Sequence, residues 1–131
     1  MTDAELVEKT IVFVKETLKD AEGGHDWFHI QRVFNNSILI ARSEKVDLLV
    51  VSLGALLHDI ADAKFHDGDE SVGPKMAEVF LASLDVKKNT ISHVVNIINH
   101  ISYKNSLETD SEEKFNSIEL QVVQDADRLD A

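Results

Sequence analysis

The sequence predicts an all-α protein, and three features carry that expectation. Apolar residues recur three and four apart in successive stretches, the spacing that gathers them on one face of a helix. Breakers are scarce, with 5 Gly and 1 Pro among 131 residues. The chain is rich in Leu, Val, Ile, Ala, Glu and Lys, several of which are strong helix formers.

Thr2 and Glu5 have capping-box spacing and open a first helix over about Asp3 to Lys19, with Val7, Ile11, Val14 and Leu18 as its stripe. Gly23-Gly24 follow as the stop. Asp26 caps a second helix that runs to about Glu44, with Ile30, Val33, Phe34, Ile38 and Ala41 facing the core. Asp47 caps a third, Leu48 to about Asp59. It is apolar on nearly every face, so it is expected to be the central, buried helix. Ala61 to Glu70 reads as a polar loop. A fourth helix, about Ser71 to Leu84, tolerates Pro74 in its first turn and presents Met76, Val79, Phe80 and Leu84. A fifth, about Lys88 to Ser102, turns Ile91, Val94, Val95, Ile98 and Ile101 inward. After an acidic stretch, Ser117 caps a last helix with Leu120, Val122, Val123 and Ala126 apolar. The chain stops there without Gly or Pro, which reads as a protein cut short. The Leu120, Val123 and Ala126 face is then expected to lie exposed.

The length suffices for one domain with a core, taken as residues 1–131. A net charge of −11 argues against nucleic acid polymers and anionic membranes as partners, since both favour a basic face. It does not argue against a small anionic substrate, because a metal ion can supply positive charge locally. Cysteine is absent, so neither a disulfide framework nor thiolate chemistry is available. The acidic N-terminus has no signal-like apolar run, and no window approaches about 18 apolar residues, so the cytoplasm is the expected location.

The third helix ends in His58-Asp59, with Asp62 three residues on. A histidine at a helix C-terminus has an ordinary explanation in the helix dipole. A carboxylate there does not, unless a cation sits nearby. His29 lies beside the apolar face of its helix, where a core histidine bonded to a carbonyl is the plain alternative. Asp127 falls four residues after Val123 on the inward stripe. His29, His58, Asp59 and Asp127 could together enclose one divalent ion: manganese, magnesium, cobalt, nickel, iron or zinc. His93 reads as solvated, and His100 is open between a structural and a functional role.

These residues resemble the H…HD…D signature of the HD-domain metal-dependent phosphohydrolases. The words Gly24-His25-Asp26-Trp27-Phe28-His29, Leu56-Leu57-His58-Asp59-Ile60-Ala61-Asp62, Ile101-Ser102-Tyr103-Lys104 and Gln124-Asp125-Ala126-Asp127-Arg128-Leu129-Asp130-Ala131 look like those of its small bacterial nucleoside triphosphate pyrophosphohydrolases. The resemblance implies an HD-domain helical bundle, a divalent metal on His29, His58, Asp59 and Asp127, and Asp62 orienting or deprotonating the attacking water. It implies a nucleotide substrate, split to monophosphate and pyrophosphate, with Arg32, Lys104 and His100 on the phosphate side. A monophosphate phosphatase or cyclic-nucleotide phosphodiesterase on the same site is the enzymatic alternative, and a non-catalytic regulatory module the other. A second copy of the chain is a candidate partner. Members of this branch continue for several more helices after the Asp-Arg-Leu-Asp-Ala word.

Overall fold

The computed structural model describes residues 1–19, 26–60, 71–102 and 117–130. Within them lie six helices and no strand: α1 (Asp3–Thr17), α2 (Trp27–Ala41), α3 (Leu48–Leu57), α4 (Val72–Ser83), α5 (Lys88–Ser102) and α6 (Ile118–Leu129). The all-α expectation holds.

Helix α3 is the axis of the molecule. Eight consecutive side chains, Val50 to Leu57, are buried, as a helix apolar on every face requires. It packs against α1, α2, α5 and α6, while α4 packs on α5 and α2 lies along α6. Gly54 sits where α3 meets α5 and α6. A Cβ there would lie 3.4 Å from Ile97 and 3.7 Å from Val123, so the helices approach closely at this point.

The starts of the helices follow the expected caps. The Thr2 hydroxyl accepts from the Glu5 N–H at 3.1 Å, and the Thr2 N–H donates to Glu5 at 2.9 Å. Asp26 accepts from the His29 N–H, Asp47 from the Leu49 and Val50 N–H groups, and Ser117 from the Leu120 N–H. Each satisfies a donor that the first turn leaves orphaned. The ends fall short of expectation. Helix α1 closes at Thr17, whose hydroxyl donates to the Phe13 carbonyl, so it stops before the two glycines, which lie outside the described residues. Helix α2 closes at Ala41 because the chain tightens: the Arg42, Ser43 and Glu44 N–H groups each donate to a carbonyl three residues back. Helix α4 ends with Asp85 in the left-handed region at φ 59. There the Asp85 N–H donates to the Ala82 carbonyl and the Val86 N–H to the Leu81 carbonyl.

Two expectations about faces fail, one residue of the α4 stripe and the exposure of the α6 face. On α4 the buried set is Gly73, Pro74, Ala77 and Leu81, whereas Val79 is 60% exposed. Met76, Phe80 and Leu84 of the expected stripe are partly buried against the core, with Phe80 stacked on Phe13 at 4.1 Å, so of the four only Val79 turns away. On α6 the expected exposed patch is absent: Leu120, Val123 and Ala126 are 2%, 0% and 0% exposed, taken up by α2 and α3. The packing within this chain already covers that face. Among the described residues, no helix is long and apolar enough to cross a membrane.

Candidate metal centre

The end of α3, the start of α2 and the end of α6 meet at one place. His58 is the C-cap of α3 and only 6% exposed. Its Nδ1 lies 2.7 Å from the Ala55 carbonyl, one of the acceptors the last turn leaves unpaired. That carbonyl can only accept, so Nδ1 carries the hydrogen. Nε2 is thereby left to the interior, 3.5 Å from Asp127 Oδ1. His29, on the first turn of α2, is arranged in the same sense. Its Nδ1 lies 2.7 Å from Asp130 Oδ2, and its Nε2 is 3.4 Å from the same Asp127 oxygen. The two rings meet edge to face with centroids 5.7 Å apart.

Ligand atoms of His29, His58 and Asp59 all fall within 4.8 Å of one another, and Asp127 reaches both imidazoles from the opposite helix. Two donors that share one ion at about 2.0–2.2 Å stand about 3–3.5 Å apart. The 3.4 and 3.5 Å separations are of that size, and longer than tight hydrogen bonds. The donor chemistry also fits: two imidazole nitrogens with their other nitrogen engaged, and carboxylates to balance a divalent charge.

Without an ion, protons compensate these carboxylates. The hydrogen bond to Asp127 leads in raising His29 to about 9, with Asp130 and the charges of Asp127 and Asp59 adding to it against desolvation. For His58 burial is the largest effect and pushes downward. The hydrogen bond to Asp127, the charges of Asp59 and Asp127 and the Ala55 carbonyl together outweigh it, so its pKa is raised. Asp130 is held below the ordinary carboxylate range, by Arg32 first and His29 second.

Of the expected quartet, His29, His58 and Asp59 bring ligand atoms together, and Asp127 stands against the two imidazoles. Arg32 is committed to a partner that sequence reasoning missed: Nε donates to Asp130 Oδ1 at 2.5 Å and Nη2 to Oδ2 at 3.1 Å. Asp130 follows Asp127 by three on α6, as Arg32 follows His29 by three on α2. Those matching intervals were the available signal. Asp62 and Lys104 lie outside the described residues, as do His25 and His66. His100 is half-buried near the end of α5. His93 is not simply solvated, because its Nε2 stands 3.0 Å from the Ser117 hydroxyl and 3.7 Å from Glu119, tying α5 to the start of α6.

Comparison with known proteins bears on this arrangement. The family model described as HD domain matches residues 27–131. The Bacillus subtilis (strain 168) protein YpgQ is 36% identical over all of this chain and 62% of its own length. The crystal structure of YpgQ in complex with ADP superposes with a TM-score of 0.78 at 32% identity, over 99% of this chain and 60% of that one. An HD-superfamily hydrolase from Bacillus thuringiensis gives 0.77 at 37% identity, over 98% and 59%. The chain thus spans about three fifths of the length of these relatives.

Proposed function

From the premise that this chain belongs to the HD domain family, we propose that the protein of which it forms all or part is a metal-dependent phosphohydrolase acting on a nucleotide. The substrate we infer is a nucleoside or deoxynucleoside triphosphate, cut to monophosphate and pyrophosphate.

The observation that carries this reading is the pair of imidazoles. Each has Nδ1 engaged and Nε2 turned toward one Asp127 oxygen. Holding a buried histidine beside a half-buried histidine and two half-buried carboxylates is costly for a purely structural cluster, and a divalent cation would compensate it. His29, His58, Asp59 and Asp127 would hold that ion. When bound, it would supply Lewis-acid charge to a phosphoryl oxygen and make water a better nucleophile at neutral pH. Asp62 would accept the proton of the attacking water. Lys104, His100 and the part of Arg32 that Asp130 does not occupy would face the phosphate chain. In a protein of net charge −11 such cations have to act locally. The complex of YpgQ with ADP supports a nucleotide as the ligand class.

A panel of nucleotides incubated with manganese, magnesium or cobalt tests the proposal. Pyrophosphate released together with monophosphate is the expected product pair. Single phosphate from monophosphates, or ring opening of a cyclic nucleotide without phosphate release, would assign the same site a different reaction. A protein that takes up metal and turns over none of the panel would be a binding module.

A further inference from the structure

The Asp130 side chain is joined to the candidate metal centre through His29, although it is not one of the converging ligands. Its side chain is 9% exposed, whereas that of Arg32 is 56% exposed. Oδ2 accepts from His29 Nδ1 at 2.7 Å and from Arg32 Nη2 at 3.1 Å, and Oδ1 accepts from Arg32 Nε. One carboxylate therefore joins the first two turns of α2 to the end of α6 through three hydrogen bonds.

We propose that Asp130 is a positioning residue for the metal centre: it holds the His29 ring so that Nε2 faces the ion, and Arg32 in turn holds Asp130. The inference rests on the metal-centre reading above. Its physical basis is the two-sided nature of imidazole, in which the nitrogen left with a lone pair is decided by what the other nitrogen donates to. A carboxylate on Nδ1 can only accept, so it selects the Nδ1–H tautomer and makes Nε2 the better donor to a metal. The fork of Arg32 engages both oxygens of Asp130, which fixes the plane of the carboxylate. It also keeps that carboxylate turned outward to His29, where it does not compete as a further ligand. His58 needs no such residue, because the Ala55 carbonyl does the same for it. The two histidines reach one arrangement by different means: one is set by backbone, the other by a side-chain relay that mutation can interrupt.

The test is a double-mutant cycle read on manganese(II) affinity with no nucleotide present, so that phosphate contacts contribute nothing. Asp130→Asn keeps the shape but loses the charge, and its amide need not select the tautomer. It is expected to weaken manganese(II) binding roughly 10–100-fold. Arg32→Ala is expected to weaken it by less. The double variant should bind as Asp130→Asn does, because Arg32 acts only through Asp130. Melting of the metal-free proteins serves as the control. A residue that merely straps α2 to α6 would lower the melting temperature and leave manganese(II) affinity unchanged.

A folded Asp130→Asn variant with wild-type affinity overturns the proposal, and strictly additive effects overturn the serial arrangement. Should Asp130→Asn not fold, Arg32→Ala, altered at an exposed side chain, carries the test: unchanged affinity overturns the role of Arg32 as the residue that holds Asp130. A wild-type protein that binds no manganese(II), magnesium or zinc defeats the metal-centre reading itself, which is a separate result.

Discussion

Metal uptake at this site is predicted to strengthen steeply with pH, because the ion must displace protons. His29 keeps its proton up to about 9 in the metal-free protein. At pH 7 a group with that pKa is deprotonated in roughly one molecule in a hundred. A cation that needs the Nε2 lone pair then binds roughly a hundredfold more weakly than its limiting affinity, and gains about tenfold per pH unit up to about pH 9. His58 leans on the same Asp127 oxygen and is also raised, so the protons leave a coupled pair and the slope can exceed tenfold. Stability of the metal-free fold runs the other way. A histidine raised from 6.5 to about 9 contributes fully below about pH 6.5, and that contribution is lost as pH rises through about 9. The shift corresponds to roughly 3–4 kcal/mol before the solvent screening of a half-buried ring, which lowers it. The assay is a calorimetric titration of manganese(II) from about pH 6.5 to about pH 8.5, in two buffers of different ionisation enthalpy so that released protons are counted. Melting of the metal-free protein is followed over the same range. An affinity flat with pH, or binding without proton release, would refute the picture of imidazoles that exchange a proton for a metal.

Three further outcomes follow from particular residues. Asp127→Ala should abolish metal uptake and turnover together, whereas Asp62→Asn should retain metal and lose roughly 10²–10⁴-fold in turnover; a fast, metal-replete Asp62→Asn would falsify its catalytic role. Ser37 is fully buried in α2 and its hydroxyl has no hydrogen-bond partner among the described residues, so Ser37→Ala should raise stability by about 1 kcal/mol in chemical denaturation. Asp85 sits at φ 59, so Asp85→Gly should relieve about 1 kcal/mol of backbone cost and raise the melting temperature, while Asp85→Val should lower it.

The fold was legible because caps and stripes agree at most helices: Thr2, Asp26, Asp47 and Ser117 each begin one as expected. On α4 the period found the side of the helix but not its centre: Met76, Phe80 and Leu84 pack at the margin of the core, Ala77 and Leu81 are fully buried, and Val79 is exposed. Within the site, His58-Asp59 announced itself through a carboxylate at the wrong end of an apolar helix. Asp130 did not, because it stands among Asp125 and Asp127 in one acidic word. Only the partner across the gap separates Asp130 from Asp125, which is exposed beside Arg128 on α6. Pairs 98 and 101 residues apart, as for Arg32 and His29, leave no local trace beyond the matching three-residue intervals on the two helices.

The position of His58 as both the cap of α3 and a member of the site makes the length of that helix a gauge. A helix that is apolar on every side has no preferred face, so its own pattern does not fix its rotation about its axis. Rotation is fixed where the two ends meet α6, by the Asp47 N–H donating to Glu119 at one and His58 Nε2 facing Asp127 at the other. Removing one residue between them would leave a helix as greasy and as well buried as before. The imidazole, however, would swing by about 100° and retreat by about 1.5 Å. An exchange of Leu for Ile along α3 is expected to cost under about 1.5 kcal/mol, whereas a change in the number of residues misplaces the imidazole.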